Sequence, residues 1–126
     1  RLMKETGERP VRLVGVTSAT PSAGKSFVSL NLAAAMSKIS DRKVLVCDLD
    51  LRRGSVLEVL DAEVPHDLSA YLRGELPDWR SAVYRVNDSD LYVLPCVKRM
   101  RRSAELLTSR RFDDLIEALR ALPPEI

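Results

Sequence analysis

The sequence predicts an α/β fold, a parallel sheet with helices on both faces, and three observations carry that prediction. Apolar runs and helical periodicities alternate in the order strand, helix, strand, short helices, strand, helix, which is the order of βαβ units. The strand-like runs are continuously apolar, as strands covered on both faces require. The residues with chemistry to offer stand directly after those runs, at the carboxyl ends where open α/β sheets bind their ligands.

Arg12 to Thr17 (R-L-V-G-V-T) reads as the first buried strand, and a loop containing Pro21 and Gly24 follows it. From Lys25 the spacing turns helical: Val28, Leu32, Ala35 and Ile39 form one stripe, widened by Leu30 and Met36, and the helix stops near Ser40-Asp41. Lys43 to Leu49 is a second apolar strand that ends on carboxylates. Short helices are expected at Val56 to Leu60 and Leu68 to Arg73, with a helical turn over Trp79 to Tyr84. Leu91 to Val97 is the third apolar strand, with Pro95 marking its end. Ser103 to Leu122 closes the series as a helix broken near Thr108-Ser109, with Phe112, Leu115, Ile116, Leu119 and Leu122 on one face.

The composition sets limits on function. The 126 residues are 45% hydrophobic and 30% charged, which fits one soluble globular domain whose core does not depend on disulfides or metals. Collagen-like, disordered and low-complexity classes are excluded. The longest apolar stretches, such as Val44 to Cys47, fall far short of the ~20 residues of a spanning helix. A formal charge of +2 argues against a nucleic-acid surface built on net charge. Cys47 and Cys96 sit inside apolar runs and read as small core hydrophobes. With no disulfide framework, zinc spacing or signal-peptide pattern, a reducing cytoplasmic setting is expected.

The chemistry lies at the strand ends. Ser18 to Ser26 (S-A-T-P-S-A-G-K-S) follows the G-x-x-x-x-G-K-[ST] pattern of a phosphate-binding loop, with Ala19 in place of the first glycine. Backbone N–H groups of such a loop wrap a β-phosphate, Gly24 permits close approach, and the next helix points its positive end at the anion. Lys25 then reaches the β and γ oxygens, and the Ser26 hydroxyl completes a Mg²⁺ shell. At the second strand end, Asp48 and Asp50 are two residues apart, which on an extended strand turns both to one side. Beside a metal-bound triphosphate they suit metal ligation and deprotonation of a hydroxyl; otherwise they cap the following helix or pair with Arg52 and Arg53. Lys98, Arg99, Arg101 and Arg102 form a basic run at the third end, either solvated or facing phosphate or a neighbouring subunit. His66 is a loop residue, and Trp79, Tyr71, Tyr84 and Tyr92 fill the core or its edge.

These stretches carry a resemblance. Val16 to Ser26 (V-T-S-A-T-P-S-A-G-K-S) and Val44 to Gly54 (V-L-V-C-D-L-D-L-R-R-G) resemble the first two nucleotide motifs of the bacterial tyrosine kinases, which share a P-loop NTPase fold with the ParA/MinD ATPases and regulate capsule and exopolysaccharide synthesis. Asp67 to Glu75 (D-L-S-A-Y-L-R-G-E) and segments of Leu94 to Ser109 match the same family. The resemblance implies that Thr20, Pro21, Ser22, Ala23, Gly24, Lys25 and Ser26, with Phe27 at the loop's end, bind ATP phosphates. It makes Lys25, Asp48 and Asp50 catalytic, with Ser26 and Asp48 holding Mg²⁺. Partition ATPases carry a lysine where Thr20 stands, so its absence favours the kinase branch over a ParA/MinD-like dimerisation switch or a silent nucleotide-binding regulator.

The family also has a third nucleotide motif after the last helix, a tyrosine-rich tail and an upstream E-x-x-R-x-x-R helix. None lies within residues 1–126, so a partial kinase domain is expected. The implied partners are neighbouring subunits and a transmembrane polysaccharide co-polymerase or activator, fused or separate, that attaches the chain to the inner face of the cell membrane. No nucleic acid is expected.

Overall fold

The computed structural model describes residues 13–16, 24–39, 42–52, 54–97 and 101–123. Helix α1 (Lys25–Ile39) leads into strand β1 (Val44–Cys47). Helices α2 (Val56–Leu60) and α3 (Leu68–Leu72), a 3₁₀ turn over Trp79–Ala82 and strand β2 (Tyr84–Arg85) come next. Strand β3 (Leu91–Leu94) and helices α4 (Ser103–Leu107) and α5 (Arg110–Arg120) complete the order.

The sheet has the order β1-β3-β2. β1 and β3 run parallel in the register Val44↔Leu91 to Cys47↔Leu94, as the sequence requires. β2 pairs antiparallel with β3, Tyr84 opposite Val93, so Tyr84 belongs to a hairpin strand and the expected helical turn stops at Ala82. The hairpin is closed by Asn87 in a left-handed conformation (φ 49°) and by the Ser89 hydroxyl, which donates to the Val86 carbonyl. An asparagine tolerates that backbone better than most residues do.

Alternation along the strands divides the core. Val93 of β3 and Val46 of β1 join Leu30 of α1 and Val56 of α2 on one face. Leu94, with Leu45 and Cys47, faces Leu68, Tyr71 and Leu72 of α3, Trp79, Ala82 and Leu115 of α5 on the other. Leu68, Leu94 and Leu115 are fully buried, each side chain contributing about 1.5–3 kcal/mol. The sheet is therefore covered by helices on both faces, the α/β architecture read from the sequence.

Two expectations need correction. The run Arg12 to Thr17 is not a buried strand in its described part: Leu13, Val14 and Val16 are exposed and outside the sheet, while Arg12 and Thr17 lie outside the described residues. An apolar run expresses a preference for burial, but a strand also needs a partner edge, and residues 13–16 pair with none of β1, β3 and β2. Helix α1 has the expected ends but buries another face. Leu30, Ala33 and Ser37 are inside, whereas Val28, Leu32 and Ile39 are 55%, 45% and 85% exposed. The helix is apolar around most of its circumference, so its period does not choose a face; its contacts with β1, β3 and α2 do.

The break in the last helix is built by hydroxyls. Thr108 Oγ1 donates back to the Glu105 carbonyl at 2.9 Å, ending α4, and Ser109 caps α5 by accepting from the Phe112 amide. Arg111 then clasps α5 to α3. Its Nε donates to the Tyr71 carbonyl at 2.6 Å, its other nitrogen to the Leu76 carbonyl, and its guanidinium lies 4.3 Å from the Tyr71 ring centre. The Tyr71 hydroxyl returns a hydrogen bond to the Arg111 carbonyl.

Arg111→Met should lower unfolding stability by about 2 kcal/mol in urea titration, since two carbonyls lose charged donors. Arg111→Lys should recover only part of the loss, because an ammonium lacks the fork that serves both carbonyls.

Burial pushes both thiols up to about 12, with Asp48 adding to the effect at Cys47 and Asp67 adding to it at Cys96. The folded values lie above the ordinary 9.0, so the thiols' share of stability is complete below pH 9 and is lost as pH rises from 9 toward 12. Iodoacetamide at pH 8 should accordingly alkylate Cys47 and Cys96 far more slowly in the native chain than in 6–8 M urea, a roughly hundredfold difference checked by mass spectrometry.

Candidate functional site

The segment that follows β1 meets the start of α1. Gly24, at φ +79°, takes the left-handed turn that admits the chain into the helix. Lys25 Nζ reaches across to Asp50 Oδ2 at 2.9 Å, an ion pair whose side chains are 37% and 26% exposed. Ser26 Oγ is in hydrogen-bond contact with Ser55 Oγ. Of the residues read from the sequence as a phosphate loop, Gly24, Lys25 and Ser26 are thus brought to the sheet edge. Phe27 is on α1 and is exposed. Thr20, Pro21, Ser22 and Ala23 lie outside the described residues.

Asp48 and Asp50 have separate surroundings. Because β1 ends at Cys47, strand alternation no longer governs them. Asp48 is buried and accepts three backbone N–H groups, from Asp50 at 3.1 Å, Ser55 at 3.0 Å and Val56 at 3.2 Å. Burial raises its carboxyl above the usual carboxylate range; those three hydrogen bonds pull it back, and the neighbouring Asp50 charge adds a smaller upward push. Asp50 is turned toward Lys25 and accepts the Arg52 amide at 3.3 Å. The helix-capping alternative therefore describes Asp48, which serves the first amides of α2, whereas Asp50 has its ion pair with Lys25 and takes only the backbone amide of Arg52, Arg53 lying outside the described residues.

Gly54 locks this loop against the next strand end. A Cβ there would run into the Cys96 carbonyl oxygen and stand 3.1 Å from Asp48 Oδ2. On the far side, Asp67 caps α3 through the Ala70 amide, accepts the Ser69 hydroxyl at 2.6 Å and accepts the Val97 amide at 2.7 Å. The Leu68 amide donates to the Pro95 carbonyl at 2.7 Å. The ends of β1 and β3 are thus tied into one edge by Asp48, Gly54 and Asp67.

Sequence reasoning missed Ser55 and Asp67 as parts of this edge. Both were legible as residues preceding helices, a serine before Val56 and an aspartate in D-L-S before Leu68. Their reach to Ser26 and to Val97 is tertiary and leaves no local trace. Of the basic run, Lys98 and Arg99 lie outside the described residues, Arg101 is exposed, and exposed Arg102 is 3.7 Å from Glu105. His66 is an exposed loop residue that exchanges backbone hydrogen bonds with the Tyr84 hydroxyl, as expected. Among the described residues no three His, Cys, Asp or Glu side chains gather as a metal cluster, and no helix is long and apolar enough to cross a membrane.

No family model matches the chain. It is 31% identical over 107 residues to the tyrosine-protein kinase Ptk of Acinetobacter johnsonii, covering 85% of this chain and 14% of that protein. The kinase domain of the Escherichia coli tyrosine kinase Etk superposes with a TM-score of 0.73 at 35% identity, covering 82% of this chain and 40% of the solved one. The septum site-determining protein MinD of Pyrococcus horikoshii, solved with Mg-ADP, gives a TM-score of 0.66 at 27% identity over 82% of this chain and 42% of that one. The chain spans about one-seventh of the length of Ptk (14%). The resemblance to the bacterial tyrosine kinases and the P-loop type of α/β fold are borne out.

Gly54→Ala should cost at least about 2 kcal/mol in thermal or urea unfolding, because the added methyl meets backbone on a neighbouring strand end. Gly15→Ala, with open space around it, should stay within about 0.5 kcal/mol and serves as the control.

Proposed function

We propose that this chain, a relative of the bacterial tyrosine kinases in sequence and fold, is the nucleotide-binding part of an ATP- and Mg²⁺-dependent protein tyrosine kinase. The observation that carries the reading is the meeting of Lys25 and Ser26 with Asp50, Ser55 and Asp48 at the sheet's carboxyl edge. The start of α1 supports it: no acidic residue stands in its first turn, so the helix's positive end is left to an anion.

In this reading Thr20 to Ser26, with Phe27 behind them, cradle the phosphates, and Lys25 stabilises the transferring phosphoryl group. The donor set fits a Mg²⁺ that keeps most of its waters, as this ion prefers. Ser26 supplies a hydroxyl. Asp48 has already spent three of its roughly four lone-pair directions on amides, which suits it to hold a metal-bound water. When bound, the ion neutralises charge developing on the phosphate oxygens. Asp50, the more accessible carboxylate, is the group positioned to receive the proton of an incoming tyrosine hydroxyl.

The kinship supports the finer assignments of this proposal. The 126 residues are one part of a kinase domain that autophosphorylates between neighbouring subunits. It works at the inner face of the cell membrane through a transmembrane co-polymerase or activator, fused or separate, and controls capsular or exopolysaccharide synthesis or export.

Incubation with γ-labelled ATP and Mg²⁺ tests the reading. Label on tyrosine is the expected result in the complete protein that carries this chain; release of free phosphate alone would make it an ATPase instead. Lys25→Met should reduce labelling at least about 100-fold through loss of transition-state charge stabilisation, without displacing the thermal unfolding midpoint by more than a few degrees.

A further inference from the structure

We infer that Asp50 makes nucleotide binding depend on the divalent cation, by holding Lys25 in an ion pair that a metal-free phosphate has to break. The inference rests on the nucleotide reading above and deepens it. Lys25 Nζ and Asp50 Oδ2 stand 2.9 Å apart, so the lysine of the phosphate loop is already engaged by a carboxylate. The pair is partly sheltered, and Asp50 is further fixed by the Arg52 amide at 3.3 Å. Asp48 lies two residues away with its carboxylate committed to backbone amides, so it offers Lys25 no competing acceptor of equal freedom.

The electrostatic consequence has a definite sign. A nucleoside diphosphate arriving without metal must draw Lys25 off Asp50, and the carboxylate it leaves behind repels the phosphate at short range. A divalent cation arriving with the phosphate offsets the repulsion between Asp50 and the phosphate, so Lys25 transfers to the phosphate at lower cost. The cation and the nucleotide are therefore coupled through one side chain, and coupling is reciprocal: each should raise the affinity of the other by the same factor.

The probe is ADP, titrated calorimetrically into the full 126-residue chain with Mg²⁺ and, separately, with EDTA. Wild type should bind more tightly with Mg²⁺. Asp50→Asn should tighten binding in EDTA by about fivefold or more and shrink the Mg²⁺ enhancement by a similar factor. Asp50→Ser, which removes the charge with a smaller side chain, should do the same, and circular dichroism checks that both are folded. In the Lys25→Met background, Asp50→Asn should bring much less of that gain, because no lysine remains to be released. ADP binding in EDTA that is unchanged or weaker in both folded Asp50 variants, while wild type binds and Lys25→Met does not, overturns this inference and leaves the nucleotide site standing. Absence of ADP binding by wild type in either buffer overturns the nucleotide reading and this inference with it.

Discussion

A carboxylate buried at the tip of a strand has to be satisfied, and the edge of this molecule is arranged around that requirement. Asp48 directly follows β1 and is buried. An unpaired buried charge would cost several kcal/mol, and the loop that follows bends so that the amides of Asp50, Ser55 and Val56 all point at it. That bend brings Gly54 against the Cys96 carbonyl, where only a hydrogen fits, and brings the Ser55 hydroxyl against Ser26. Replacing Asp48 by an apolar residue of similar size would remove the need for the bend, and with it the contact to the start of α1.

Asp67 repeats the device one strand over. It collects an amide from its own helix and one from Val97 beyond β3, so the carboxyl ends of the parallel pair are each held by an acidic side chain that accepts main-chain N–H groups. Hydrophobic burial determines that the sheet forms and which helices cover it. These carboxylates determine how the loops leave it, since loop backbone at a buried edge must find partners that no ladder supplies.

The split between what was legible in the sequence and what was not follows the same division. Element types were readable wherever a local cause set them: the apolar runs of β1 and β3, Pro95 after β3, and the hydroxyls that break α4 from α5; the end of β1 was not, since the strand stops at Cys47 and not at Leu49. Helix α1 was readable as a helix but not in its orientation. With apolar residues on most sides, the choice between the Val28 and Leu30 stripes was made by anchors at its first turn and by the sheet beneath it. The two residues of β2 are too few for a periodicity, and their strand character comes from pairing with Tyr92 and Val93. In the site, Gly24, Lys25, Ser26, Asp48 and Asp50 were named by spacing alone. Ser55 and Asp67 escaped because their decisive partners lie 29 and 30 residues away.

The D-x-D spacing shows how a motif can be read correctly and its geometry still be missed. On a continuing strand, residues 48 and 50 would share a face and an environment, and two like charges side by side would each raise the other's pKa. Ending the strand at Cys47 separates them: one turns inward onto amides, the other outward onto Lys25. The burial cost of Asp48 is partly offset by backbone dipoles, which cannot leave, whereas Asp50 is paired with a side-chain cation that can. A fixed carboxylate suits the part of a site that must keep its shape. A carboxylate paired to a mobile cation suits the part that must change partners when a charged ligand enters, and the same two letters of sequence supply both.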